Sequence, residues 1–211
     1  MDQTPEMIFE KRPPQLIAIV GGSGAGKSRL ADWLQKKLGP NAIRLSLDDF
    51  YRDRSGLSPA RREKLNFDHP PAIDWARLKQ VLGDCAAGRS TTIPRYDFVT
   101  HTRRKGGRIL KSKPLIIMDG LWLFHRPWLR RLFQHRIFID CPARLRLDRR
   151  VKRDGAERGR MPAAVRRQFR KTVGPMHRLH VAPQRKWASQ VVSASPRPME
   201  LRQLLQCLQA R

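Results

Sequence analysis

The chain is short of acid. Its 211 residues hold 18 aspartates and glutamates against 44 lysines and arginines, a formal charge of +26. Cysteine is scarce as well. Cys85, Cys141 and Cys207 are odd in number and far apart, which excludes a disulfide framework or a zinc cluster. Reduced thiols of this kind point to the cytoplasm. Long apolar runs are missing. Residues 16–20 and 115–118 are strand-sized, far below the roughly 20 residues that span a bilayer. The opening MDQTPEMIFEKRPP lacks the apolar centre of a signal peptide. Internal repeats and low-complexity linkers are absent too. What remains is 40% hydrophobic, enough for one core. The expected organisation is a lead-in over residues 1–14 and a single domain over 15–211.

An excess of base predicts affinity for polyanions. Nucleic acid is one such class, and the phosphates of nucleotides are another. The densest stretches are 103–108 and 144–160, the latter with seven arginines and one lysine. No nucleic-acid-binding module is recognisable, which favours a phosphate-handling site over a nucleic-acid track.

The hydrophobic pattern alternates between two periods. Leu-Ile-Ala-Ile-Val at 16–20 is continuous, as in a strand buried on both faces. Leu30, Trp33, Leu34 and Leu38 recur at helical spacing and predict a helix over 27–38, stopped by Gly39-Pro40. Ile43, Leu45 and Leu47 predict a second strand ending at Asp48-Asp49. Residues 74–87 read as a helix closed by Gly88. The runs 93–99 and 108–110 predict a hairpin with a glycine turn within 101–107. Strands follow at 115–118 and 137–139, helices at 143–154 and 162–173, a last strand at Val191-Val192 and a last helix over 199–210. Alternating strands and helices predict an α/β fold: a parallel sheet of about five strands flanked by helices, with the hairpin inserted.

Between the first strand and the first helix lies Gly21-Gly22-Ser23-Gly24-Ala25-Gly26-Lys27-Ser28, a match to G-x-x-x-x-G-K-S/T in its required context. Glycines let backbone amides wrap a phosphate. The helix behind them aims its positive N-terminus at the same anion. Lys27 is placed to reach the β- and γ-phosphates, and Ser28 to ligate Mg²⁺. The pattern predicts a P-loop NTPase fold and ATP as ligand. Because such a loop touches phosphates and not the base, GTP stands beside ATP as donor.

Further segments narrow the acceptor. Ser46-Leu47-Asp48-Asp49-Phe50-Tyr51, Asn66-Phe67-Asp68-His69-Pro70, Ile93-Pro94-Arg95-Tyr96-Asp97-Phe98-Val99-Thr100-His101, Met118-Asp119-Gly120 and Arg149-Arg150-Val151-Lys152-Arg153-Asp154 occur in this order, with Glu157-Arg158-Gly159-Arg160 behind them. Over residues 15–193 the chain resembles the uridine–cytidine kinase family, relatives of phosphoribulokinase and pantothenate kinase. The resemblance implies transfer of a γ-phosphate to the 5′-hydroxyl of uridine or cytidine. It implies Asp48 as catalytic base, which suits a carboxylate at a strand end beside a phosphate loop, and Asp68 on the sugar hydroxyls. Tyr51, Tyr96 and His101 then hold the pyrimidine, and Gln168 is a further acceptor-side residue. Residues 93–110 become an acceptor-site hairpin. Residues 144–170 become a lid in which Arg150, Arg153, Arg158 and Arg160 close on the phosphates. Asp119 stands where the family carries a glutamate beside Mg²⁺; it is one methylene shorter. Pro142 and Met161-Pro162 also depart from the family pattern. The resemblance further implies a homotetramer.

Two other readings stay open on sequence grounds. One keeps the chemistry and changes the small hydroxyl acceptor. The other is a nucleic-acid-stimulated ATPase, suggested by the charge.

Overall fold

The computed structural model describes residues 13–209. The lead-in expected at 1–14 therefore falls, up to residue 12, outside the described residues. In chain order the elements are β1 (Gln15–Gly21), α1 (Lys27–Leu38), β2 (Ala42–Ser46), α2 (Pro59–Glu63), α3 (Trp75–Ala86), β3 (Thr91–Ile93), β4 (Tyr96–Asp97), β5 (Thr102–Arg103), β6 (Arg108–Leu110), β7 (Leu115–Gly120), α4 (Pro127–Arg130), β8 (His135–Asp140), α5 (Ala143–Arg158), α6 (Pro162–Gln168), α7 (Gly174–Met176), β9 (Gln190–Ser193) and α8 (Pro198–Gln209).

Five strands pair in the order β2-β7-β1-β8-β9, parallel throughout. β1 lies in the middle and is buried from Leu16 onward. Its side chains alternate between two faces, and each face has its own core. Leu16, Ala18 and Val20 pack with Leu45, Met118 and Phe124, covered by Leu78, Val81 and Leu82 of α3. Ile17 and Ile19 pack with Ile117 and Ile137, covered by Leu30 and Leu34 of α1 and Leu204 and Leu208 of α8. Each large side chain so buried contributes about 1.5–3 kcal/mol. Among the described residues no helix is long and apolar enough to cross a membrane.

The second strand, expected to run through Leu47 to Asp48-Asp49, stops at Ser46, where the serine hydroxyl accepts the Asp48 N–H and starts a 3₁₀ turn over Leu47–Phe50. Two further segments also depart from the sequence expectation. The hairpin spans 91–110 and is two short ladders, β3 with β6 and β4 with β5. Its tip lies at 98–101 rather than at the glycines. Asp97 drives this: its carboxylate accepts the N–H groups of Val99 (2.8 Å) and Thr100 (3.2 Å) and closes the turn locally. The glycines Gly106 and Gly107 fall in the return arm instead. The helix expected to stop at 173 also runs on, through π-helical turns at Phe169–Val173 and His177–Val181, to a 3₁₀ turn at Ala182–Trp187. Gly174 and Pro175 do not break it. The wider turn lets the Phe169 carbonyl accept from the Gly174 N–H, and glycine leaves the room: a methyl group there would come within 3.1 Å of the Phe169 oxygen.

Gly120 ends β7 against the turn that follows β2. A methyl group on it would meet Leu47 Cβ at 2.5 Å, and Leu47 is fully buried. Gly120→Ala is therefore expected to lower stability by about 1–3 kcal/mol. Urea unfolding measures this, and an unchanged midpoint would contradict the packing described.

Candidate active site

The phosphate loop leaves β1 and enters α1 through two left-handed glycines, Gly24 (φ +81°) and Gly26 (φ +101°), conformations that L side chains rarely adopt. The Ala25 N–H donates to the Gly22 carbonyl at 3.0 Å and closes the turn. Lys27 Nζ donates to the same carbonyl at 3.0 Å. Burial pushes the pKa of this ammonium down, while Asp48 and Asp119 pull it up; the net displacement is downward.

Asp119, 3% exposed, lies near the end of β7, between Ile19 of β1 and Ser46 of β2. Its Oδ2 accepts from Ser28 Oγ at 3.0 Å. Its Oδ1 accepts from Arg44 Nε at 2.9 Å, with Arg44 Nη2 also at 2.9 Å. Arg44 Nη1 reaches on to Asp32 at 2.6 Å. Burial raises the Asp119 pKa against the pull of Arg44. The sequence reading passed over Arg44; the available signal was a charged residue inside an otherwise apolar strand. Among the described residues there is no group of three His, Cys, Asp or Glu side chains that could hold a metal by itself. A hydroxyl beside one buried carboxylate at a phosphate loop fits Mg²⁺, which keeps waters and phosphate oxygens in its shell.

Asp48 sits in the turn after β2, where its N–H donates to Ser46 Oγ. It lines a cavity together with Lys27, Ser28 and Asp119. The neighbouring Asp49 does not line it. The Asp49 carboxyl is pushed up to about 6, mainly by burial, against the pull of Arg108. Asp68 enters the same cavity after a turn in which its N–H donates to Asn66 Oδ1 at 3.0 Å. Burial pushes its carboxyl up and Arg150 pulls it down; the net is upward.

Aromatic rings make the far wall. The chain has two tyrosines, Tyr51 and Tyr96, and their rings lie 5.1 Å apart. Tyr51 Oη donates to the Phe67 carbonyl at 3.0 Å, whereas Tyr96 Oη is buried without a partner among the described residues. Phe67 stacks on His101 at 4.2 Å and 10°. His101 stands at φ +55° at the hairpin tip. Burial, then Arg160 and Arg158, hold its imidazole below the usual value, so it is neutral at pH 7. Phe67 and Phe98 also line the cavity; both lie within segments quoted above, and neither had been singled out.

α5 and α6 close the cavity. Arg150, 5% exposed, donates to Ser23 Oγ at 2.7 Å and to Gln168 Oε1 at 2.9 Å. Arg160 reaches Gln168 at 3.3 Å and His101 Nε2 at 3.4 Å. Arg158 lies 4.6 Å over the Phe98 ring. Asp154, fully buried, gathers these arginines. Its carboxylate is 2.8 Å from Arg153, 3.4 Å from Arg150 and 3.7 Å from Arg158. Sequence reading gave Asp154 no role. The cavity holds about 90 Å³, opens to solvent, and has Arg150, Arg153, Arg158 and Arg160 along one wall. A second cavity of about 670 Å³ opens behind the loop, lined by Ala25, Gly26, Trp33, Arg149 and residues 193–196. Arg149 bridges the Ala25 and Ala194 carbonyls there, each at 3.2 Å.

Burial raises the Asp154 pKa, but Arg150 and Arg153 outweigh it, and the carboxyl lies below its ordinary 3.8. A lowered folded-state value means stability that is present above the unfolded pKa and lost as pH falls through the folded one. Asp154→Asn is thus expected to remove about 3–5 kcal/mol, because it strands buried arginines. The gap between wild type and variant should hold from about pH 8 to 5 and close below about 3.8. Denaturant midpoints across pH check this; a gap independent of pH would count against the ion-pair account.

A model of the Phosphoribulokinase / Uridine kinase family matches residues 16–198. A uridine kinase of Chloroflexus aurantiacus is 38% identical over 176 residues, covering 83% of this chain and 84% of that protein. A uridine kinase of Proteus mirabilis is 38% identical over 182 residues, covering 84% and 85%. The phosphoribulokinase of Rhodobacter spheroides shares the fold, with a TM-score of 0.63 at 15% identity over 86% of this chain and 70% of that one. With its P-loop, its five-stranded parallel sheet and a match over most of its length, the chain belongs to the phosphoribulokinase/uridine kinase family.

Proposed function

We propose that this protein is a nucleoside kinase that transfers the γ-phosphate of ATP to the 5′-hydroxyl of uridine or cytidine, giving UMP or CMP. One observation carries the reading: Asp48 shares a single cavity with Lys27 and Ser28 on one side and with Asp68, Tyr51, Tyr96 and His101 on the other. The relatives named uridine kinase support it.

The 5′-oxygen attacks the γ-phosphorus and the bond to the bridging oxygen of the β-phosphate breaks, releasing ADP. Asp48 accepts the hydroxyl proton. Lys27, Arg150 and Arg153 face the charge that spreads over the transferring group, with Arg158 and Arg160 on the donor phosphates. Ser28 and Asp119 would hold Mg²⁺, which would supply charge neutralisation to the donor phosphates. Asp68 accepts hydrogen bonds from the ribose hydroxyls. The tyrosines and His101 take the flat base, and the unpartnered Tyr96 Oη and the neutral His101 offer hydrogen bonds to its polar edge. Residues 144–170 act as the lid, within one domain. The donor base lies in the second cavity, beside Trp33 and Arg149. The three thiols are free, in keeping with a cytoplasmic enzyme.

An ADP-release assay with Mg²⁺-ATP and a panel of nucleosides and sugars tests the acceptor. Uridine or cytidine should lead the panel, and turnover of neither would sink the proposal. Asp48→Ala is expected to lower kcat by roughly 10²–10⁴-fold with ATP binding retained. A loss of less than tenfold would remove Asp48 as the base.

A further inference from the structure

The proposed mechanism leaves one buried charge unused. Arg146, on α5, is 4% exposed. Its Nε donates to the Cys141 carbonyl at 3.2 Å, and its guanidinium lies 5.5 Å over the Phe169 ring. Its Nη1 is buried and makes no hydrogen bond. Every described carboxylate that pairs with an arginine of α5 is Asp154, and its partners there are Arg150, Arg153 and Arg158. Among the described residues Arg146 therefore stands in the interior without a counter-charge. The nearby imidazole of His177 offers none, since burial and the cations around it hold its pKa at about 4 and leave it neutral.

The position of this charge is specific. A methyl group on Gly22 would meet Arg146 Nη1 at 2.6 Å and His177 Nδ1 at 2.9 Å, and one on Gly24 would strike the Arg146 carbonyl oxygen. The guanidinium and its backbone thus press on the phosphate loop at two of its glycines. Arg146 is also among the cations acting on Lys27, after burial, Asp48, Asp119 and Arg153. An unpaired buried cation destabilises a fold unless an anion offsets it, and the anion this loop is shaped for is a polyphosphate.

We infer that Arg146 is a positioning residue for the phosphate donor: it braces Gly22 and Gly24 from below, and the donor's polyphosphate is its missing counter-charge. The inference rests on the donor side of the proposed function. It implies that the empty enzyme bears a strain which the donor relieves, so stability and affinity should move in opposite directions when the charge is removed.

Arg146→Met keeps the length and removes the charge; Arg146→Lys keeps the charge. Melting temperatures are read with and without Mg²⁺ and β,γ-imido-ATP, and KM for ATP and kcat are measured on the same samples. The empty Arg146→Met protein should melt about 2–8 °C above wild type. Its dissociation constant for the analogue should rise at least about tenfold, the scale of a lost charge-assisted contact, and KM for ATP should rise more than kcat falls. Arg146→Lys should recover part of the affinity. If Arg146→Met binds the analogue as wild type does, the counter-charge role is overturned. If both variants melt below wild type, Arg146 is a structural prop and the inference fails. If wild type itself shows no shift with the analogue, the donor reading falls first, and the inference with it.

Discussion

Four arginines converge on one buried carboxylate, and the arginine wall of the site depends on that convergence. Arg150, Arg153, Arg158 and Arg160 lie around a cavity of about 90 Å³, where their mutual repulsion in a poorly solvated space would drive them apart. Asp154 supplies the compensating charge from the floor of α5. With that anchor in place, Arg150 is free to span from the phosphate loop at Ser23 to α6 at Gln168, and Arg160 to reach the hairpin at His101. Three separate segments of chain are thereby tied across the cavity mouth. One carboxylate cannot neutralise four cations, so this wall of the cavity keeps an excess of positive charge. That excess is what a transferring phosphoryl group needs.

The sheet explains why Asp48, Asp119 and the phosphate loop meet. β2, β7 and β1 are neighbours in space though not in sequence. Asp48 follows the end of β2, Asp119 lies at the end of β7, and the phosphate loop follows the end of β1. All three sit at carboxyl ends of parallel strands, where open α/β sheets take their ligands. The two-sided burial of β1 fixes this frame and leaves the polar groups to the rim. Arg44 adds a constraint within the rim. It holds one oxygen of Asp119 while Ser28 takes the other, so the shorter carboxylate is fixed in both position and rotation.

Local signals in the sequence carried far. Continuous apolar runs located the strands, and glycine spacing located the phosphate loop. The elements that escaped are those decided by contacts distant in sequence. Arg44 meets Asp119 across 75 positions, and no local pattern announces such a pair. The hairpin tip was misplaced because Gly106-Gly107 is the stronger turn signal by composition, whereas Asp97 closes a tighter turn with its own side chain. Gly174-Pro175 reads as a helix end, yet a π-helical turn before it changes which carbonyl each N–H meets. π-turns have no simple sequence signature and recur at functional sites. This one directly follows Gln168.

The arginine-rich run shows what periodicity alone conceals. In an ordinary amphipathic helix the positions i, i+4 and i+8 of the buried stripe are leucines or their like. In α5 the buried residues are Arg146, Arg150 and Asp154, and the stripe has the polarity of a surface. The neighbouring arginines divide around it: Arg149 faces the second cavity, Arg153 the first, and Arg144 the solvent. The apolar contacts of α5 come from Leu145 on the core and from the Phe169 and Phe98 rings under Arg146 and Arg158. The helix docks through Arg146 and Arg149 on backbone carbonyls and through Arg150 on Ser23 and Gln168, and it lies on the glycine loop, while Asp154 pairs with arginines of the same helix. The inferred role of Arg146 would couple the packing of α5 to whatever anion that loop holds, through the buried face that carries Arg146 and Arg150.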